Sequence, residues 1–279
     1  MPFFKNQLSL NVYYRVINGE KDHFPKIVLV HGYGSSLTMF AKQIPFLKKH
    51  FQIILFDAVG HGKSESSKED LQENLIEQTV NDLQHLLNLL EIDSKFGFIG
   101  HSLFGSCVSL EYALSNPEKV SFLIILNGGT LKLDNTIRNI FWNLLPQFTR
   151  INFKKIAQTS IDTIIDRTLP FIHGAIEPED IETSNSEKEI LKEKIRAEIL
   201  DMTELGLDPS PIICPCLIMG AELDNFAPFY MSKEMHDEIA DSELHIVKMT
   251  GHFGLSQIFQ EYNETIFNFL IKHKIIRNK

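Results

Sequence analysis

The sequence predicts an α/β fold: a mostly parallel sheet with helices on both faces and a helical insertion between two of its later strands. Two patterns predict it. Short continuous apolar runs, such as Ile27-Val28-Leu29-Val30 and Phe96-Gly97-Phe98-Ile99, alternate with segments whose apolar residues recur at helical spacing. Runs that are apolar at every position belong to strands buried on both faces, which is the environment of a parallel sheet. From about Leu131 to Ser210 the strand pattern stops and helical periodicity alone continues, so this interval reads as an insertion. A chain of 279 residues is long enough for one such core with an inserted subdomain.

Taken in order, Leu8 to Val16 reads as a strand followed by an Asn18-Gly19 turn. Ile27 to Val30 is a short β-branched strand that leads into His31-Gly32-Tyr33-Gly34, with helical residues from about Phe40 to Leu47. Gln52 to Phe56 is a second buried strand ending at Asp57, and Gly60-His61-Gly62-Lys63-Ser64 then forms a loop. Leu75, Val80, Leu83, Leu86, Leu87 and Leu90 mark one face of a longer helix. Phe96 to Ile99 and Phe122 to Leu126 are two more buried strands, separated by a helix over Ser106 to Asn116 that stops before Pro117. After the insertion, Asp208-Pro209-Ser210-Pro211 is a hinge back into the core. Alternation then resumes with Cys216 to Met219, a helix over about Met231 to Ile239, the strand Leu244 to Val247, and a terminal helix from Ser256 to about His273. The domain boundaries that follow are a core of 1–130 and 211–279 and a helical cap of 131–210.

Composition narrows the function classes. A formal charge of -9 lacks the basic footprint that phosphate contacts require, so no nucleic-acid partner is expected. The opening Met1-Pro2-Phe3-Phe4-Lys5-Asn6-Gln7 has no cationic segment followed by an apolar core, and no uninterrupted apolar stretch approaches spanning length. A soluble, cytoplasmic protein with no membrane span is therefore expected. Three cysteines are an odd number and fit reduced thiols. Cys214-Pro215-Cys216 opens an apolar strand without a second Cys or His pair at ligand spacing, so it and Cys107 read as buried structural residues.

The chemistry concentrates in Gly100-His101-Ser102-Leu103-Phe104, where a buried strand turns into a helix. A serine at such a turn projects its hydroxyl from the sheet edge, and the first N–H groups of the helix face an oxyanion formed beside it. A serine hydroxyl is a weak nucleophile until a base takes its proton, and the base works best when a carboxylate fixes its tautomer. Asp224, in Met219-Gly220-Ala221-Glu222-Leu223-Asp224, stands just past one later strand. His252, in Thr250-Gly251-His252-Phe253, stands just past the next. In a parallel sheet these loops share the edge where ligands bind. An aspartate in such a loop is usually a cap or turn residue. The order Ser, Asp, His gives the set its meaning.

On these residues the chain resembles the α/β-hydrolase superfamily over nearly its whole length, in the branch of capped esterases, lipases and carbon–carbon bond hydrolases. The matching segments are His31-Gly32-Tyr33-Gly34, Asp57 with Gly60-His61-Gly62-Lys63-Ser64, Gly100-His101-Ser102, Gly220 with Asp224 and Pro228, and Gly251-His252. The resemblance implies an eight-stranded sheet, with Ser102 as nucleophile, His252 as general base and acid, and Asp224 as its orienter. It also implies an oxyanion hole from the backbone N–H groups of Tyr33 and Leu103. No metal or organic cofactor is implied, because these groups supply nucleophile, acid–base and oxyanion donors. The family usually has a small residue two places after the nucleophile, whereas this chain has Phe104 with Gly105 one place later. Either the helix start shifts or the phenyl ring packs into nearby space.

Other candidates take structural roles. Ser64 follows Asp57 without the strand-to-helix pattern and reads as a turn residue. His31 and His61 shape loops near the site, and His101 packs inward. Glu222 is the alternative acid, two residues before Asp224. In the insertion, Ile140, Phe141, Leu144 and Leu145 form an apolar cluster beside Trp142; Phe141, Trp142 and Leu145 are the substrate-binding candidates, with cap core as their alternative role.

The expected activity is hydrolysis of small or medium carboxylic esters through an acyl-enzyme, with a small-molecule ester as partner. A serine at the elbow argues against dehalogenase and epoxide hydrolase chemistry, which in this fold use a carboxylate there. Carbon–carbon bond hydrolases of ring-cleavage dienoates are the enzyme alternative. They commonly carry Asn before the nucleophile and Trp after the histidine, where this chain has His101 and Phe253. A slow-turnover ligand-binding receptor on the same fold is the alternative of another class.

Overall fold

A computed structural model describes residues 2–18, 23–65, 75–130 and 207–277. The chain divides into two compact units, Met1–Thr130 with Leu207–Lys279, and Leu131–Gly206; the sheet and helices named here belong to the first. The interval expected to form the cap lies outside the described residues except for its last four, and so do Phe141, Trp142 and Leu145.

Eight strands form one sheet: β1 (Phe3–Lys5), β2 (Asn11–Ile17), β3 (Lys26–Val30), β4 (Gln52–Phe56), β5 (Phe96–His101), β6 (Val120–Leu126), β7 (Cys216–Ala221) and β8 (Ser242–Val247). Their spatial order is β1-β2-β4-β3-β5-β6-β7-β8. β1 and β2 pair antiparallel, as do β2 and β4. Every pair from β4 to β8 is parallel, so the expected mostly parallel sheet is present. The described helices are α1 (Ile44–Leu47), α2 (Leu75–Leu89), α3 (Ser102–Ser115), α4 (Phe229–Glu238), α5 (Gly254–Gln257) and α6 (Phe259–Lys272), with a 3-10 turn over Leu37–Lys42.

Alternating side chains of the central strands feed two cores. Ile27, Leu29, Leu55, Ile99, Ile124 and Leu217 pack with Tyr262, Ile266, Phe269 and Leu270 of α6, whose spacing places them on one helical face. On the opposite face Phe98 meets Tyr112 of α3 at 5.4 Å between ring centroids, and α2 packs on α3. Burial of these strands on both faces explains why their sequences are apolar without alternation.

Four elements differ from the sequence reading. Leu8 to Leu10 are not strand: Asn6 Oδ1 accepts the N–H groups of both Leu8 and Leu10 at 3.0 Å, and Ser9 is left-handed at φ 63°, which makes a tight turn between β1 and β2. The three residues of β1 carry too little periodicity to be legible alone. The helix of the elbow begins at Ser102 rather than Ser106. The terminal helix is broken at Ile258, with φ -124° and ψ 45°, into α5 and α6. Cys107, Cys214 and Cys216 are all buried, and the Cys216 thiol donates to the Cys214 carbonyl at 3.2 Å. No helix among the described residues is long and apolar enough to cross a membrane.

Asn6 also donates from Nδ2 to Asp82 Oδ2 at 3.2 Å, which ties the β1–β2 turn to α2. Burial raises the Asp82 carboxyl to about 6, opposed by the hydrogen bond from Asn6. A folded-state value above the unfolded one means that the folded state favours the protonated acid. The resulting stability is complete below the unfolded value and is lost as pH rises through about 6. Asp82→Asn removes the buried charge and still accepts from Asn6. Urea unfolding should therefore find the variant equal to the native chain at pH 4 and more stable at pH 8, by ~1–3 kcal/mol. An equal difference at both pH values would contradict this account.

Candidate active site

Because β3 through β8 run parallel, the loops after β3, β5, β7 and β8 share one sheet edge. They carry Tyr33, Ser102, Asp224 and His252 respectively. Ser102 is the first residue of α3 and has φ 63°. This left-handed conformation costs a non-glycine residue on the order of 1–3 kcal/mol. It turns the chain sharply out of β5 and leaves Ser102 partly exposed while its neighbours His101 and Phe104 are buried.

Asp224 lies in a turn after β7. Its N–H donates to Ala221 O at 3.1 Å, while its Oδ1 accepts the N–H groups of Phe226 at 2.8 Å and Ala227 at 2.9 Å. These bonds leave Oδ2 to accept from His252 Nδ1 at 2.7 Å. The other ring nitrogen, Nε2, lies 3.0 Å from Ser102 Oγ. A carboxylate only accepts, so Nδ1 carries the proton and Nε2 is the acceptor facing the serine hydroxyl. Asp224 is 5% exposed and His252 9%, so little water competes for the Asp224–His252 bond. The rings of Phe226 and Phe253 flank His252 at 4.9 and 5.4 Å between centroids. The three residues singled out from sequence thus lie in one hydrogen-bonded chain, with the serine hydroxyl at its outer end.

Glu222, the alternative acid, is engaged elsewhere. It accepts from Met249 N–H at 3.0 Å and Lys248 Nζ at 3.2 Å, and the Met249 bond is the leading cause that holds its carboxyl below the ordinary value.

The loop after β3 comes directly against the serine. A Cβ at Gly32 would fall 2.8 Å from Ser102 Cβ and 3.0 Å from His101 Nδ1, so only glycine permits this approach, and Tyr33 is the next residue. Leu103 is the second residue of α3, and the first four N–H groups of a helix have no acceptor within it. Both N–H groups named from sequence as oxyanion donors therefore belong to backbone adjacent to Ser102.

Phe104 takes the second of the two arrangements open from sequence. Its ring is fully buried, stacked on His61 at 5.8 Å and 14°, with His31 at 6.0 Å and Tyr33 at 6.2 Å. The small residue that close approach demands is one place later: a Cβ on Gly105 would fall 2.5 Å from Val30 O.

The remaining candidates are structural. Ser64 Oγ donates to Asp57 O at 2.5 Å and accepts from Tyr13 N–H at 2.8 Å. His31 Nε2 accepts from Ala58 N–H at 3.0 Å and Nδ1 donates to Gly32 O at 2.7 Å. Burial lowers its pKa to about 4, so the ring stays neutral near pH 7. His101 is likewise held well below the ordinary histidine value, chiefly by burial and then by repulsion from His252. Its Nε2 lies 3.3 Å from His252 O, and its Nδ1 has no hydrogen-bond partner among the described residues. Two residues of the site were not foreseen: Asn127, whose Nδ2 donates to His252 O at 2.7 Å, and Tyr262, whose hydroxyl donates to Asn127 Oδ1 at 2.7 Å. An asparagine at a strand end reads as an ordinary turn residue, and Tyr262 sits on the apolar stripe of a helix. No group of metal-ligating side chains occurs among the described residues.

Residues 25–257 match the family model described as the alpha/beta hydrolase fold. The chain is 28% identical over 274 residues to an uncharacterized hydrolase, YugF, of Bacillus subtilis (strain 168), spanning 94% of this chain and 95% of that protein. It is 25% identical over 259 residues to the 2-hydroxy-6-oxononadienedioate/2-hydroxy-6-oxononatrienedioate hydrolase of Escherichia coli O81 (strain ED1a), spanning 88% and 87%. Among solved structures, an esterase from Exiguobacterium antarcticum superposes with a TM-score of 0.69 at 19% identity, over 96% of this chain and 98% of that one.

Proposed function

Because the chain belongs to the α/β-hydrolase family, we propose that it is a serine hydrolase that cleaves small or medium carboxylic esters through an acyl-enzyme. The observation that carries this reading is the hydrogen-bonded chain from Asp224 Oδ2 through His252 to Ser102 Oγ, with the serine held in a left-handed turn at the start of a helix.

In the proposed reaction, Ser102 Oγ attacks the ester carbonyl carbon as its proton passes to His252 Nε2. Asp224 keeps the proton on Nδ1 and stabilises the imidazolium that forms. The Tyr33 and Leu103 N–H groups are the proposed donors to the oxyanion; one such donor typically contributes about 3–4 kcal/mol. Collapse of the tetrahedral intermediate breaks the bond to the leaving alkoxide, which takes the proton from Nε2 and departs as the alcohol. Water then attacks the acyl-serine carbonyl with His252 again as base, which releases the carboxylic acid and restores Ser102.

The cap is proposed for 131–210, and Phe141, Trp142 and Leu145 as its substrate-facing residues. A second reading, carbon–carbon bond hydrolysis of a ring-cleavage dienoate, is favoured by the name of the Escherichia coli relative, but His101 and Phe253 replace the Asn and Trp common in such enzymes. The two readings separate on substrates. Purified protein should hydrolyse p-nitrophenyl esters of graded acyl length with multiple turnovers and leave 2-hydroxy-6-oxo-dienoates intact. Faster consumption of the dienoates would favour the second reading. A stoichiometric burst with no further turnover would favour a slow ligand-binding receptor.

A further inference from the structure

We infer that Asn127 and Tyr262 are positioning residues that hold the general base in place, an inference that rests on the serine-hydrolase reading. His252 stands in the loop between β8 and α5, outside regular structure, so no strand or helix ladder fixes its backbone. Its carbonyl is instead held from two elements. Asn127, immediately after β6, donates from Nδ2 at 2.7 Å, and His101, the last residue of β5, places Nε2 at 3.3 Å.

Asn127 is itself fastened at every polar position that bears on this role. Its backbone is left-handed at φ 50°, a conformation asparagine adopts more readily than most residues with a side chain. Its N–H donates to Met219 O of β7 at 2.7 Å. Its Oδ1 accepts from the Tyr262 hydroxyl at 2.7 Å, which orients the amide so that Nδ2 faces the carbonyl. Asn127 and Tyr262 are both fully buried, where a hydrogen bond has no competing water and a missing one is costly.

Neither side chain reaches the proposed reacting atoms, yet both act on the residue whose ring must meet two partners at once, Asp224 at 2.7 Å and Ser102 at 3.0 Å. Catalysis by oriented groups loses on the order of 10²-fold for a displacement of about 1 Å. A network devoted to the His252 carbonyl therefore controls the chemical step rather than substrate binding.

The test measures steady-state hydrolysis of p-nitrophenyl acetate, well below the melting temperature, for the native chain, Asn127→Gly, Asn127→Asp and Tyr262→Phe. Glycine suits the left-handed backbone and lacks the amide. Aspartate keeps the size and, assayed at a pH where its carboxyl is ionised, cannot donate. Phenylalanine loses the hydroxyl alone. Asn127→Gly and Asn127→Asp should lower kcat about 10²-fold with KM within about threefold of native, and Tyr262→Phe should lower kcat roughly tenfold. Where Asn127→Gly does not fold, Tyr262→Phe carries the test. Variants that melt at lower temperature but keep native kcat per folded molecule would show a purely structural role and overturn the inference alone. A native chain that hydrolyses no ester and takes no fluorophosphonate label would overturn the hydrolase reading and the inference together.

Discussion

Ser102→Ala should abolish the proposed ester turnover, with kcat reduced on the order of 10⁶-fold, the scale seen when the nucleophile of a serine protease triad is removed. The size follows from what the substitution deletes. Without Oγ there is no covalent intermediate, and the hydroxyl whose oxygen lies 3.0 Å from His252 Nε2 is gone. Oxyanion donors and substrate binding can supply only a residual acceleration. The fold should survive: Ser102 is partly exposed, and alanine faces the same left-handed backbone that serine already occupies at φ 63°. Circular dichroism and thermal melting should therefore match the native chain while the hydrolysis rate falls to background. Turnover within tenfold of native in a folded Ser102→Ala variant would assign the nucleophile elsewhere.

Asp224→Asn should give the second large loss, roughly 10⁴-fold in kcat. An amide in place of Oδ2 can present its N–H₂ to His252 Nδ1, which favours the tautomer with the proton on Nε2. That tautomer cannot accept from Ser102. The geometry also sets the control. Glu222 is two residues away in sequence, but its carboxylate is bonded to Met249 N–H and Lys248, so Glu222→Gln should leave kcat/KM within about threefold, as surface changes away from a site commonly do. The pair of variants is measured side by side on one ester. A larger loss in Glu222→Gln would make Glu222 the orienting acid.

What was legible in the sequence was what is local. Continuous apolar runs announced β3 to β7 because burial on both faces leaves polar residues only towards the strand ends. The Gly100-His101-Ser102 turn was legible because a sharp strand-to-helix junction needs a small residue and a bend in a short span. The left-handed φ of Ser102 is the physical content of that bend. What was not legible depends on particular side-chain contacts, near or far along the chain, that no periodicity or motif displays. The turn over Leu8 to Leu10 is made by the Asn6 side chain overriding an apparent strand pattern. The place of the Phe104 ring was undecidable without His31, His61 and Tyr33 around it. Asn127 and Tyr262 lie 125 and 10 residues from His252, and neither belongs to a motif, so only the folded chain displays their link to it.

The same distinction separates the reaction from its substrate. Ser102, Asp224 and His252 sit on the loops of a sheet whose order is fixed by packing, and they carry the proposal about reaction class. Fold likeness at 19% identity to an esterase speaks to architecture alone and does not carry substrate preference.

The proposed chemistry depends most directly on one atom, Ser102 Oγ, and on its activation by His252. Native protein treated with a fluorophosphonate, digested and mapped by mass spectrometry should carry a single phosphonyl adduct on the peptide containing Ser102, and His252→Ala should slow its formation by several orders of magnitude. An adduct at Ser64 or another serine, or an unlabelled native chain, would contradict the central claim.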